Sequence, residues 1–230
     1  MSPFDLASLD GTLLPAAEAT VPVTDEGLLR GDGVFEVTRL YDGVPFAWDE
    51  HLERMTGSAA NLRLPFDPAA IDADVTALLD AASPGDCALR CVVTRGGRRI
   101  VLLEPLKPMA PSIRLATVTY APTRILDGVK SLSYGANMLA TEDGELYTPP
   151  LEDHVLDSIT RRHVMEVTSA TEWVTSTDAI PTMAEAFLAS TLREVQPVSA
   201  IDGTALPAPG PRTAEIVAAV AAHIRSRVTA

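Results

Sequence analysis

Cysteine is almost missing from this chain: 230 residues contain two, Cys87 and Cys91. They do not form a CxxC pair, which argues against a disulfide framework or thiolate metal site and for reduced, half-buried thiols in a cytosolic protein. Lysine is as scarce. Of 18 basic residues, 16 are arginine, and only Lys107 and Lys130 are lysine. Codon usage in a GC-rich genome explains such a skew, so it carries no function by itself. It does leave just two side-chain candidates for chemistry that needs a neutral primary amine. Positive charge is short overall, because 31 acidic residues bring the formal net charge to −13. That is the wrong sign for neutralising the phosphates of nucleic acid or of an anionic membrane. Also absent are an apolar run of the roughly 20 residues that span a bilayer and, in the first residues, the basic and apolar regions of a secretory signal. A cytoplasmic location is expected.

What is present is ordinary globular material, 47% apolar and 21% charged, in a length that suits one large domain or two small ones. Val34–Tyr41 and Val44–Trp48 flank Asp42-Gly43, a hairpin signal. A helix follows, with Asp49 as N-cap and Leu52, Met55, Ala59 and Leu62 on one face. Pro68–Ala82 reads as a second helix, stopped by Ser83-Pro84-Gly85. Leu89–Thr94, Ile100–Leu103 and Ile113–Tyr120 read as strands. Beyond a boundary near 121–128, Ser131–Thr141 reads as helix, Glu145–Thr148 as strand, Asp157–Ala170 as helix, Phe187–Ala189 as strand and Arg212–Val228 as an amphipathic helix. The fold class is mixed α+β in two domains, residues 1–120 and 129–230.

Several positions offer chemistry. Lys130 opens a predicted helix among apolar residues, where partial desolvation would lower its pKa and free its amine as a nucleophile. A surface lysine at a helix start is the plainer reading. Tyr134, four residues on, shares its face, or simply packs there. Asp157-Ser158-Ile159-Thr160-Arg161 and Ala189-Ser190-Thr191 offer hydroxyls and free backbone N–H groups of the kind that hold a phosphate, or cap helices. Arg54 lies off the apolar stripe, either a phosphate clamp or an exposed arginine. Gly31-Asp32-Gly33 is no dinucleotide fingerprint, since no third glycine follows and a strand comes next.

In order, Arg30-Gly31-Asp32-Gly33-Val34-Phe35-Glu36, Glu50-His51-Leu52-Glu53-Arg54-Met55, Lys130-Ser131-Leu132-Ser133-Tyr134, Ile159-Thr160-Arg161 and Ser190-Thr191 with Glu194-Val195 and Pro197-Val198 resemble the fold-type IV, or class IV, aminotransferase family of pyridoxal-phosphate enzymes. The resemblance covers nearly the whole chain and lies nearest the D-amino-acid and branched-chain branches. It implies a small N-terminal α/β domain, a larger C-terminal pseudo-barrel domain, and a homodimer with active sites at the interface. Lys130 then corresponds to the lysine that bonds to pyridoxal phosphate and moves the substrate proton. Tyr134 corresponds to the phenol on the cofactor's ring hydroxyl, and Leu156 to the leucine packed on its ring. Arg54, the amides of Ile159 and Thr160, and Ser190 with Thr191 correspond to the phosphate cup.

One stretch departs from the family's pattern. Ala140-Thr141 runs straight into Glu142-Asp143-Gly144, where family members carry a few tens of further residues. Those include a strand pair and a glutamate that pairs with the pyridinium nitrogen, without which the ring is a poorer electron sink. A segment missing between Thr141 and Glu142 is therefore expected. The wording of Phe35–Gly43 and Val92–Gly97 resembles the D-amino-acid branch, in which arginines hold the substrate carboxylate. Arg30, Arg39, Arg90, Arg95, Arg98 and Arg99 are the candidates beside Phe35, unless they merely balance surface acid. The expected activity is ping-pong transfer of an amino group from an amino acid, D by this wording, to a 2-oxo acid. The alternatives are a branched-chain L-amino-acid aminotransferase, an aminodeoxychorismate lyase, and an inactive cofactor-binding homodimer.

Overall fold

The computed structural model describes residues 2–117, 129–130, 137–142, 145–153 and 155–229. They fall in two compact units. One runs through Lys107 and takes in Val129 and Lys130; the other takes up at Pro108 and holds the rest.

The first unit is built on six antiparallel strands. Leu6–Leu9 (β1), Thr12–Pro15 (β2), Gly33–Tyr41 (β3), Val44–Pro45 (β4), Cys87–Thr94 (β5) and Arg99–Glu104 (β6) lie in the order β2-β1-β6-β5-β3-β4. Glu26–Arg30 forms the short helix α1, ended by Gly31 in the left-handed region. The hairpin reading of Asp42-Gly43 holds: both residues have positive φ, 49° and 83°, as a two-residue turn matching the sheet twist requires. Trp48 already belongs to helix α2 (Trp48–Asn61), so the second strand stops at Pro45. Helix α3 (Pro68–Ala82) has the expected bounds, with Asp67 accepting from the amides of Ala69 and Ala70 and proline in its first turn. Strand alternation puts Val34, Leu40, Cys87, Leu89, Cys91 and Val93 into one core with Met55 and Ala59 of α2 and Ile71, Val75 and Leu78 of α3. Both thiols are thus fully buried core residues.

The second unit carries Ile113–Leu115 (β7), Asn137–Glu142 (β8), Glu145–Thr148 (β9), Thr171–Glu172 (β10), Glu185–Ser190 (β11), Glu194–Ile201 (β12) and Thr204–Ala205 (β13). Their order is β10-β9-β8-β11-β12-β13, with β7 parallel to β12. Helices α4 (Ile159–Val167) and α5 (Pro211–Val228) accompany this sheet. On β11, Ala186 and Leu188 face a core of Ile180, Met183, Val198, Ile201 and Leu206. Glu185, Phe187 and Ala189 alternate to the opposite side.

The expectation of a helix over Ser131–Thr141 fails for its described part. Asn137–Glu142 is a strand held on both sides, by β9 and by β11, and that pairing overrides local helix propensity. Where a missing segment was expected, Thr141 and Glu142 are consecutive residues of β8, and Glu142 pairs with Glu145. The strand expected over Ile113–Tyr120 is seen as Ile113–Leu115; residues 118–120 lie outside the described ones. Among the described residues, no helix is long and apolar enough to cross a membrane.

Helix α5 begins at Gly210, which has no side chain to cap it. Glu185 of β11 does that work from 27 residues away in sequence: its two carboxylate oxygens accept from the amides of Arg212 (3.0 Å) and Thr213 (2.7 Å). A Cβ at residue 210 would lie 2.1 Å from the Glu185 carboxyl carbon, so glycine there is a requirement of the cap. Replacing Glu185 with Ala strands two buried helix-end donors and should lower stability by about 1–3 kcal/mol. Thermal unfolding of the variant checks this.

Candidate active site

Lys130 is brought to the first unit by backbone bonds. Strand β4 pairs with β3 at Leu40 and Tyr41, and Lys130 meets the same strand further along. There the Phe35 N–H donates to the Lys130 carbonyl (3.4 Å), and the Lys130 N–H donates to Oγ of Ser58 on α2 (3.1 Å). The lysine is thus pinned between a strand edge and a helix. Its side chain is buried, with Nζ 4.8 Å from the centre of the Phe35 ring, a cation–π distance. Arg90 lies against the same ring, Cζ at 5.8 Å.

Behind Phe35, on the helix-covered side of β3, lies an acid that the sequence reading passed over. Glu36 is 1% exposed. Its carboxylate accepts from Arg54 Nε and Nη2, each at 2.7 Å, and stands 2.7 Å from His51 Nδ1. Burial alone would raise the Glu36 carboxyl, but the hydrogen bonds and charges of His51 and Arg54 outweigh it and hold the group below its ordinary 4.5. His51 is 0% exposed. Burial, helped by the charges of Arg54 and Lys130, pulls it below its ordinary 6.5 despite Glu36. A neutral His51 donates from Nδ1 to the carboxylate, which leaves Nε2 a bare lone pair, and that atom is buried without a hydrogen-bond partner. The signal for this cluster was an acid on the apolar face Val34-Glu36-Thr38-Leu40, opposite a helix carrying His51 and Arg54 one turn apart.

The same surroundings act on Lys130. Burial lowers its amine from 10.5 to about 8; Glu36 resists, while Arg54 and Arg90 assist. At pH 8 about half the amine is then free base, against about 0.3% for an ordinary lysine. Lys107 is exposed.

The other arginines are committed elsewhere. Arg95 donates to Asp32 (2.5 Å) and to the carbonyls of Leu62 (2.8 Å) and Arg63 (3.1 Å), bracing the end of α2. Arg98 pairs with Asp10 and Arg99 with Asp74. Arg30 pairs with Glu26 at the surface, and Arg39 lies over Tyr41. Arg90 also meets Glu104 through two hydrogen bonds, 3.0 and 2.9 Å. Tyr134 lies outside the described residues.

In the second unit, Ser158 caps α4 by accepting from the Arg161 amide (3.3 Å). Ile159 and Thr160 occupy its first turn, where amides have no partner within the helix. Ser190 ends β11, and its carbonyl accepts from Arg193 across the turn that holds Thr191. Leu156 is half-buried just before α4.

The chain is similar to known proteins along most of its length. The family model for amino-transferase class IV matches residues 33–141 and 133–201. A D-alanine aminotransferase of Bacillus licheniformis is 26% identical over 272 residues, covering 94% of this chain and 96% of that protein. A putative branched-chain-amino-acid aminotransferase of Methanocaldococcus jannaschii is 31% identical over 252 residues, covering 85% and 87%. The crystal structure of the branched-chain aminotransferase from the archaeon Thermoproteus uzoniensis with norvaline shares the fold, with a TM-score of 0.84 at 23% identity over 96% of this chain and 95% of that one.

The buried cluster makes stability sensitive to acid. An unfolded chain protonates His51 near 6.5 and Glu36 near 4.5, whereas both folded groups hold out to lower pH. The unfolded state therefore gains protons first, so stability is full above about pH 6.5 and falls below it, with the histidine contributing first and the carboxylate later. Unfolding midpoints measured between about pH 7.5 and 5 should drop. In His51→Asn, which keeps a donor to Glu36, the fall should start nearer the carboxylate range.

Proposed function

The chain belongs to the class IV aminotransferases, and from that premise we propose that it transfers an amino group from a D-amino acid to a 2-oxo acid, with Lys130 as its catalytic lysine. Class IV aminotransferases use pyridoxal phosphate. The donor set present fits that cofactor, since an aldehyde needs a neutral primary amine and Lys130 is one of two lysines, buried and shifted to about 8. That observation carries the proposal.

When bound, the cofactor supplies the carbonyl that takes up the amino group and the ring that makes the substrate Cα–H acidic. The chain's own residues do the rest. Lys130 would hold the cofactor through its amine; once the substrate's own amino group displaced it, the freed amine would take the proton from Cα and give it back at the carbon that had carried the cofactor's carbonyl. Its backbone bonds to Phe35 and Ser58 fix where that proton is handled. Phe35 presents an apolar ring that keeps water from the amine. Arg54 carries a positive charge for the phosphate, held in plane by Glu36. The first-turn amides of Ile159 and Thr160, with Ser190 and Thr191, are the proposed phosphate donors of the second unit, and Leu156 the proposed packing against the ring. Tyr134 keeps the role that the resemblance gives it. For the substrate carboxylate, Arg90 is the favoured choice among the arginines, because it shares the Phe35 ring with Lys130. Arg95 and Arg98 are held by main-chain carbonyls or acids, and Arg30 and Arg39 are the remaining candidates. A homodimer belongs to the same proposal.

The D-donor is supported by the wording of β3 and β5 and by the Bacillus licheniformis relative. The more identical branched-chain relative makes L-leucine the second reading. Arg193-Glu194-Val195-Gln196-Pro197 is worded more like the transaminases than the lyase.

Two measurements test this. Borohydride reduction of the pyridoxal-phosphate-loaded protein should fix the cofactor mass on the peptide carrying residue 130. Lys130→Ala should lose both that mass and about 10²–10⁴-fold or more in rate, the scale of a lost acid–base group. Fixation on Lys107 instead would refute the assignment. Second, with 2-oxoglutarate as acceptor, kcat/KM should be higher for D-alanine than for L-leucine or R-phenylethylamine; turnover of L-leucine alone would overturn the D-donor.

A further inference from the structure

Away from the residues used above, three ligand-type atoms converge where α4 meets α5. His163 and Glu166 stand one turn apart on α4, and His223 comes from α5. His163 Nδ1 lies 3.1 Å from His223 Nε2 and 3.3 Å from Glu166 Oε2, and that same oxygen lies 3.7 Å from His223 Nε2. The triangle is nearly equilateral.

Protons serve this arrangement poorly. Each nitrogen carries at most one hydrogen. If His223 donates to His163 Nδ1, the Nδ1 lone pair is used and no hydrogen remains for its contact with Glu166. If His163 donates instead, its one Nδ1 hydrogen has to be shared between Glu166 Oε2 and the His223 Nε2 lone pair. A divalent cation satisfies all three lone pairs together. At ligand bonds of about 2.0–2.2 Å, tetrahedral geometry sets neighbouring ligand atoms about 3.3–3.6 Å apart, close to the observed sides. Two imidazoles and a carboxylate form a borderline nitrogen–oxygen set, suited to zinc and ill suited to magnesium or calcium, which take oxygen ligands. Exposure also fits: the side chains of His163, His223 and Glu166 are 3%, 14% and 57% accessible. The two imidazoles form a fixed floor, and the carboxylate side admits the ion and a completing water.

We propose that His163, Glu166 and His223 bind one zinc ion that clips α5 to α4. The clip lies beyond the first turn of α4 and plays no part in the amino transfer, so it stands or falls independently of that reaction.

Calorimetric titration of the chelator-treated, pyridoxal-phosphate-loaded full chain with zinc chloride tests it. One zinc per chain should bind, undisturbed by excess magnesium. At zinc well above Kd the unfolding midpoint should rise by about 5 °C or more. His223→Ala and Glu166→Gln should each weaken binding by more than the roughly 10–100-fold typical of losing an outer-shell partner, and should lose the thermal shift. Glu166 is largely exposed, so Glu166→Gln keeps the fold and reads the third ligand even if His223→Ala loosens the helices. Cobalt substituted at the site should give the visible band of a tetrahedral nitrogen–oxygen centre. Absence of saturable zinc binding, or zinc affinity unchanged in Glu166→Gln, overturns the proposal.

Discussion

The Glu36 carboxylate, buried under α2 and gripped by Arg54 and His51, is the interaction on which the arrangement around Lys130 depends. A buried charge is costly unless its hydrogen-bonding capacity is met. Here two nitrogens of a guanidinium and one of an imidazole meet it. The bonds cross from β3 to α2, so they fix how the helix lies along the strand. Ser58, one turn beyond Arg54 on the same helix, then presents its hydroxyl to the Lys130 amide. The lysine's backbone is thus placed through the helix that this carboxylate holds.

The same cluster explains how Lys130 loses its proton so readily. An isolated carboxylate nearby would hold the ammonium form and raise the amine. Glu36 is instead neutralised by Arg54, while His51 stays uncharged, so little net negative charge is left to oppose burial. Arg90 adds repulsion from the outer face of the sheet. A poised amine comes from spending the acid's charge on other partners, not from removing the acid.

Local pattern carried the Asp42-Gly43 turn and the helix over Pro68–Ala82, whose signals are made by adjacent residues. It did not carry the cap of α2, expected at Asp49 where Ala47 stands, or the strand Asn137–Glu142, which pairing on both sides decides. The burial of Lys130 was foreshadowed by its apolar neighbours, although a surface lysine was the plainer reading of the same residues. What escaped was made by distance. Glu36 looked like one polar position in a strand until α2 brought His51 and Arg54 to it. Glu185 lay outside the strand expected over Phe187–Ala189, and its part in capping a helix 27 residues on had no local signal. The arginines show the converse: six seemed equal candidates by wording, and although Arg90 is paired with Glu104 as others are with Asp10, Asp32 and Asp74, it alone of the six is described against the Phe35 ring beside Lys130.

The join after Thr141 follows the logic of strand polarity. The family resemblance places a strand pair there, and alignment with the Bacillus licheniformis relative runs over 272 residues, more than this chain contains. Taking out one strand would leave its neighbours parallel, and parallel neighbours need a long crossover. Taking out an up-and-down pair returns the chain to the same edge in the same direction. The strands on either side then remain antiparallel and close as a hairpin. Glu142 lies opposite Glu145 and Ala140 opposite Tyr147, the register that such a removal would leave. The ladder from β9 through β8 to β11 is unbroken, so the fold keeps its register.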